Sequence, residues 1–239
     1  MSKFPALRQL AILLGILLAF LASPSGVQAQ TATVNFVSDT TWAVSNSAGI
    51  FLNFAQNVCL NAQSPSNCPA NATLYGYPGG WEADLSSIPG ATWIWAPGIT
   101  GATAPAYPAE FRFSKSFDLR GTPVSGTISI AADDFAEILV NGQSVGTIGS
   151  LTGNFNAAVQ SQQYLHTFDI YKFLVHGTNV ITIRAANGNY GCGSGPYSCN
   201  PAGVVFGGSL QFQGSAGNCQ GTGNGNGDPS SQGNCMKQR

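Results

Sequence analysis

Two adjacent carboxylates with a third three residues on, Asp133, Asp134 and Glu137, sit in the stretch "AADDFAEILVNGQSVG" ahead of an Asn-Gly pair. Such a cluster suits either of two chemistries. Calcium takes about six to eight oxygens, which carboxylates and loop carbonyls supply together, although this spacing is not that of an EF-hand loop. Glycoside hydrolysis needs two carboxyl groups about 5–10 Å apart across a cleft, one with a raised pKa. Asp133 and Asp134 are neighbours, and neighbouring side chains in a strand or turn point apart. The reading favoured here is therefore the corner of a sheet. Ile128, Ile130 and Ala132 alternate up to Asp133, and Ala136, Ile138 and Val140 alternate beyond it. Asn141-Gly142 supplies the positive φ angles of a type I′ hairpin, with "QSVGTI" returning as the partner strand.

Other catalytic groupings are weaker. Glu82, Asp84 and Glu110 are scattered, no G-x-S-x-G occurs, and His166 and His176 lie in separate segments. The aromatic residues say more. Tyr75, Tyr77 and Trp81 fall in "LYGYPGGWEAD", a Gly/Pro-rich loop where exposed rings are expected to stack on the apolar faces of sugars. Trp93 and Trp95 are expected to face the core instead. Tyr190 and Tyr197 flank "YGCGSGPYSC", a loop that a Cys192–Cys199 bridge would pre-order. Arg184 is either a ligand contact or a cross-strand partner of Asp118 or Glu137.

The elements that must position these residues are short and β-like. Alternating runs bounded by Gly, Pro and Asn predict strands over 31–37, 91–95, 110–119, 126–132, 136–140, 164–170, 179–186 and 202–212. In the third of these, Phe111, Phe113 and Phe117 share one face with Lys115, which should snorkel at an edge. No sustained 3.6-residue apolar period appears. One helical turn is expected where Asp169 caps "IYKFLV" ahead of Gly177. Together these runs predict an all-β fold, an antiparallel two-sheet jelly-roll sandwich.

At the N-terminus, Lys3 and Arg8 precede a thirteen-residue apolar run, 10–22, and small residues at Val27 and Ala29. This matches a cleaved secretory signal over 1–29, the run being short of the roughly 20 residues a spanning helix needs. Residues 30–213 form the expected sandwich domain, with no membrane span after cleavage. Residues 214–239 contain seven glycines and no large apolar residue but Met236, composing a disordered tail. Removing Lys3 and Arg8 leaves seven basic against ten acidic residues, a balance that gives no field for nucleic acid. The six cysteines form three local groups, Cys59 with Cys68, Cys192 with Cys199 and Cys219 with Cys235. An even count in an exported chain favours disulfides between neighbours, and zinc is disfavoured because no CxxC occurs.

The succession "AEFRFSKSFDL", "GTISIAADDFAEILVNGQSVG", "FDIYKFLVHGTNVITIRAANG" and "NPAGVVFGGSLQF" resembles the galactose-binding-domain-like modules of bacterial secreted proteins, over roughly residues 91–213. The resemblance implies a jelly-roll sandwich that commonly binds carbohydrate through loops at one end and often carries a structural calcium. It also implies backbone-bridging roles for Asn179 and Asn187. The expected function is thus a secreted or cell-surface, non-catalytic binding or adhesion protein whose partner is carbohydrate or a matrix component. A structural or protein-interaction component of an extracellular layer is the alternative, and a glycoside hydrolase ranks last.

Overall fold

Strands dominate because short apolar-alternating segments are separated by turn residues, and the two faces they create must bury each other. The computed structural model describes residues 30–60, 73–75, 80–102, 107–190 and 195–214. The expected signal segment 1–29, the expected tail beyond residue 214, Tyr77, Cys68, Cys192, Cys219 and Cys235 lie outside the described residues.

Thirteen strands are described: β1 (Thr31–Val37), β2 (Ala43–Asn46), β3 (Phe51–Phe54), β4 (Gln56–Leu60), β5 (Thr73–Tyr75), β6 (Ile94–Trp95), β7 (Ala109–Leu119), β8 (Gly121–Asp133), β9 (Phe135–Val140), β10 (Gln143–Gly149), β11 (His166–Asp169), β12 (Gly177–Asn187) and β13 (Gly203–Gly214). One helix, α1 (Phe155–Gln163), is inserted between β10 and β11. One sheet runs β11-β8-β13-β6-β4-β5, with β1 also paired to β13, and the other runs β10-β9-β12-β7-β2-β3. Pairing is antiparallel except between β4 and β5. From β7 to β9 and again from β10 to β13, the chain crosses between sheets at each strand, the wrapping expected of a jelly roll.

Between the sheets, Ile128, Ile130, Ile138, Val140, Ile181 and Ile183 are fully buried, as the alternation predicted. Trp42, in the β1–β2 connection, sets its ring edge-on to Phe206 at 4.6 Å and donates its indole N–H to Val37 O at 2.8 Å. Trp93 and Trp95 are core residues. The expected strand over 91–95 shortens to its last two residues. Lys115 reaches along the Trp42 ring, 5.8 Å from its centre, to donate to Thr41 Oγ1.

The Asn141-Gly142 hairpin forms with both φ angles positive, +52° and +78°. Its Asn side chain also ties the turn to the next layer. Asn141 Nδ2 donates to Phe173 O and Asn179 Oδ1, and Asn141 Oδ1 accepts from Val180 N. Fully buried Asn179 donates to Val175 O and Gly177 O and accepts from Val175 N, the backbone-bridging role expected of it. The anticipated helical turn is a 3₁₀ turn, Tyr171–Phe173, with Asp169 accepting from Tyr171 N at 2.8 Å.

The nine-residue helix α1 was not expected. Only Ala158 and Ser161 are buried along it, so it has no apolar stripe to read. Asn154 caps it by accepting from Ala157 N at 3.0 Å. The loss of the Asn179 carboxamide would strand several buried backbone groups at once. Asn179→Ala is expected to lower unfolding free energy by about 2–4 kcal/mol, read by urea denaturation of the variant beside the parent.

Candidate functional site

At the end of β8 the strand buries both of its faces. Ala131 and Ala132 are fully buried, and the two aspartates that follow are 4% and 5% exposed. Two carboxyls cannot be taken out of water uncompensated, and the surrounding segments meet them. Trp81 donates its indole N–H to Asp133 Oδ2 at 2.7 Å. Gln162, its carboxamide turned so that nitrogen faces the carboxyl, donates to both Asp133 oxygens at 3.0 and 3.2 Å. Gly188 N donates to Asp134 Oδ2 at 2.8 Å. The peptide bond joining the aspartates is cis, and the two carboxyls lie close enough to shift each other's titration. The expectation that they point apart is corrected.

Burial raises Asp133 well above the ordinary carboxyl value, and the charge and hydrogen bond of Asp134 push it the same way, against the Trp81 donor. Asp134 is also raised by burial, offset by its hydrogen bonds from Asp133 and Gly188. The pair therefore takes up a proton more readily than separate carboxyls in water would, and that titration belongs to the two together.

The backbone around the pair is equally constrained. Ser161 Oγ lies 2.7–2.9 Å from Ala132 O, Asp134 O and Ala158 O, binding α1 to the strand end. Gly149, at φ +78°, presses so closely that a Cβ there would meet Asp134 O at 1.9 Å. Glu82 N donates to Gln162 O at 2.7 Å, joining the Trp81 segment to α1. Asn200 Nδ2 reaches Gly188 O at 3.2 Å.

The sequence-derived candidates fall out differently from one another. Trp81, expected as an exposed ring, is 5% exposed. It stacks on Trp93 at 4.3 Å and 22°, over Gly203, where a Cβ would come within 2.5 Å of the ring. Its polar tip is committed to Asp133, so it serves the scaffold. Tyr197 is fully buried as well, its hydroxyl donating to Ala202 O and its pKa raised well above 10 by burial and the Asp133 charge. Tyr75 lies in β5 opposite Leu60. Arg184 donates to Glu137 at 2.8 Å and Glu110 at 3.0 Å, with its guanidinium over the Phe135 ring. It is a cross-strand partner of Glu137, as one reading held, while Asp118 pairs with Arg120. Cys59 and Cys199 are disulfide-bonded.

Glu137 is thus held on the outer side of its sheet, and the set Asp133, Asp134 and Glu137 is not gathered. Among the described residues no three His, Cys, Asp or Glu side chains converge. The Asp133 oxygens face N–H donors, which is the wrong chemistry for a cation, so the residues present do not fit calcium. Nor does a carboxyl pair so close together leave room for a glycosidic oxygen and water between its members.

What reaches solvent beside the pair is Tyr190. Its ring packs against Gly188, next to Asp134 Oδ2, and its hydroxyl meets Ser150 Oγ at 3.2 Å. Phe155, 59% exposed at the start of α1, lies 5.6 Å from it at 58°. Asn189 N donates to Leu151 O, fastening the 187–190 and 150–155 loops together. Phe155, Ser161, Gln162 and Gly188 were missed by sequence reasoning, since three of them belong to a helix or loop with no apolar period and Gly188 carries no side chain.

No protein-family model and no curated relative matches the sequence. Among solved structures the chain is similar to an α-L-rhamnosidase from Streptomyces avermitilis complexed with L-rhamnose, at TM-score 0.38 and 23% identity over 50% of this chain. It is also similar to a rhamnosidase from Novosphingobium sp. PP1Y, at 0.33 and 16% over 75%, and to a β-glucuronidase from Bacteroides uniformis, at 0.32 and 15% over 75%. The chain spans 10%, 15% and 18% of those three chains respectively. Likenesses of this size carry no argument about activity.

The folded protein holds a proton on the pair more tightly than the unfolded chain does, whose aspartates titrate near 3.8. The pair's stabilising contribution is therefore full below that value and lost as pH rises through the raised one. Asp133→Asn keeps an acceptor for Trp81 and a permanent donor toward Asp134. Its melting temperature should fall less than the parent's as pH is raised from about 4 to about 8; equal slopes in the two proteins would contradict the raised titration of the pair. A melt in chelator should match one in calcium.

Proposed function

We propose that this protein is an exported, non-catalytic binding or adhesion module that takes carbohydrate at the end of the sandwich formed by the 150–155 and 187–190 loops. The observation that carries the reading is the Phe155–Tyr190 aromatic pair, which reaches solvent from the start of α1 and from a loop tied to the buried acid pair. Pyranose rings present apolar C–H faces that stack on such side chains, while Ser150 and exposed Asn189 offer hydroxyl partners beside them. Loops fixed in advance lose little entropy on binding, which suits a weak neutral ligand. Export is supported by the signal-like N-terminus and by disulfide-bonded Cys59 and Cys199. The galactose-binding-domain-like resemblance agrees with a sandwich that binds through one end. The sparse surface charge agrees with a neutral partner. No calcium is called on.

Glycan-array binding followed by titration calorimetry on the best ligand tests the reading. Tyr190→Ala and Phe155→Ala are each expected to weaken binding by about tenfold or more with the fold intact by circular dichroism. Trp81→Ala should instead destabilise the whole domain. A blank array, or binding untouched by both loop variants, would move the reading to a structural component of an extracellular layer.

A further inference from the structure

Among the described residues, one edge of the six-stranded sheet carries a run of exposed apolar side chains. Its last strand, β3, pairs with β2 and, among the described residues, with no other strand. All four of its residues are exposed, and the apolar side chains Ile50, Phe51, Leu52 and Phe54 are 62%, 58%, 43% and 52% exposed. Proteins usually blunt such edges with charge, proline or a covering element. The opposite edge of the same sheet, β10, is covered: α1 packs on it and the Phe168 ring presses on Gly146. Edge strand β11 of the other sheet carries His166 and Asp169. From residue 43 to residue 56 the chain has no charged side chain and no proline.

The β3 edge is also held ready. Asn46 N donates to Ile50 O and Asn46 Oδ1 accepts from Ile50 N, closing the hairpin, and Gly49 turns at φ +81°. Beneath it Val44 of β2 is fully buried. Phe51 and Phe54 meet edge-to-face at 5.9 Å, forming one ridge.

We propose that two copies of this chain join edge to edge through β3, antiparallel about a twofold axis, merging their six-stranded sheets. A strand edge offers backbone N–H and C=O groups that only another extended backbone satisfies in register. A twofold interface brings each patch against its own copy, so any charge on it would meet itself; this patch has none. On the strand itself, Asn53 Oδ1 accepts from Phe54 N at 2.9 Å, so that one backbone donor is already met and an incoming strand pairs with the remaining groups. The exposed side chains offer on the order of 400 Å² per copy, against the ~800 Å² per partner of a standard interface. The dimer is accordingly weak and concentration-dependent. This inference is independent of the carbohydrate reading.

Sedimentation velocity of the purified chain over about 1–300 µM tests it. The parent is expected to shift from monomer to dimer, with Kd on the order of 10–100 µM. Leu52→Lys and Phe54→Lys, at exposed positions that leave the melting temperature unchanged, are expected to remain monomeric. An equimolar mixture of Leu52→Lys and Leu52→Glu should recover dimer. A parent that stays monomeric, a dimer that survives both lysine variants, or open-ended aggregation without a dimer would overturn the proposal. So would a monomer retained on an insoluble polysaccharide and released by Leu52→Lys, which would make the ridge a sugar platform.

Discussion

The hydrogen bond from the Trp81 indole to the buried Asp133 carboxyl organises one end of the molecule. A carboxyl pair removed from water is tolerated only when a proton reduces its charge and the remaining oxygens meet donors. Those donors come from the Trp81 segment, the last turn of α1 and the loop after β12. None of the three is near the others in sequence. Each must be in place before the pair can be buried, so one polar constraint fixes the geometry of the whole end, including where Tyr190 and Phe155 stand.

Elsewhere the same logic operates with neutral groups. Asn141 and Asn179 bridge a hairpin, a 3₁₀ turn and the start of β12, replacing water for backbone groups that a long connection would otherwise bury unpaired. Arg184 does comparable work on the outer side of the second sheet, where two carboxylates and an aromatic face hold its guanidinium. Such partly exposed ion pairs add little stability; they do keep the strand register. The apolar layer between the sheets supplies most of the driving force, and the polar bridges decide which arrangement it settles into.

The scaffold thereby leaves two unlike surfaces free. At the end, aromatic rings stand beside hydroxyl and amide groups on fastened loops, a surface suited to a small polar ligand. At the β3 edge, apolar side chains flank open backbone groups, a surface suited to another strand. They belong to different elements, so binding at one need not disturb the other. An adhesive module with a weak self-pairing edge would gain avidity from having both.

Much of the fold was legible because strand signals are local. Alternation at 126–132, 136–140 and 179–186, the Asn141-Gly142 turn and the capping Asp169 each act within a few residues, so composition and spacing sufficed for them. The candidate site was not legible in that way. Trp81 sits in a Gly/Pro-rich loop that reads as exposed, and its burial follows from Trp93, Gly203 and Asp133, the last two more than fifty residues away. Helix α1 hid because its buried face is Ala158 and Ser161, one small and one polar. The convergence of Asp133 and Asp134, and the choice of Glu137 for Arg184, were likewise decided by packing between segments. By itself the sequence determined which stretches alternate and where they turn; only the tertiary structure decided which polar groups would leave water together, because their partners are chosen across the fold and not along the chain.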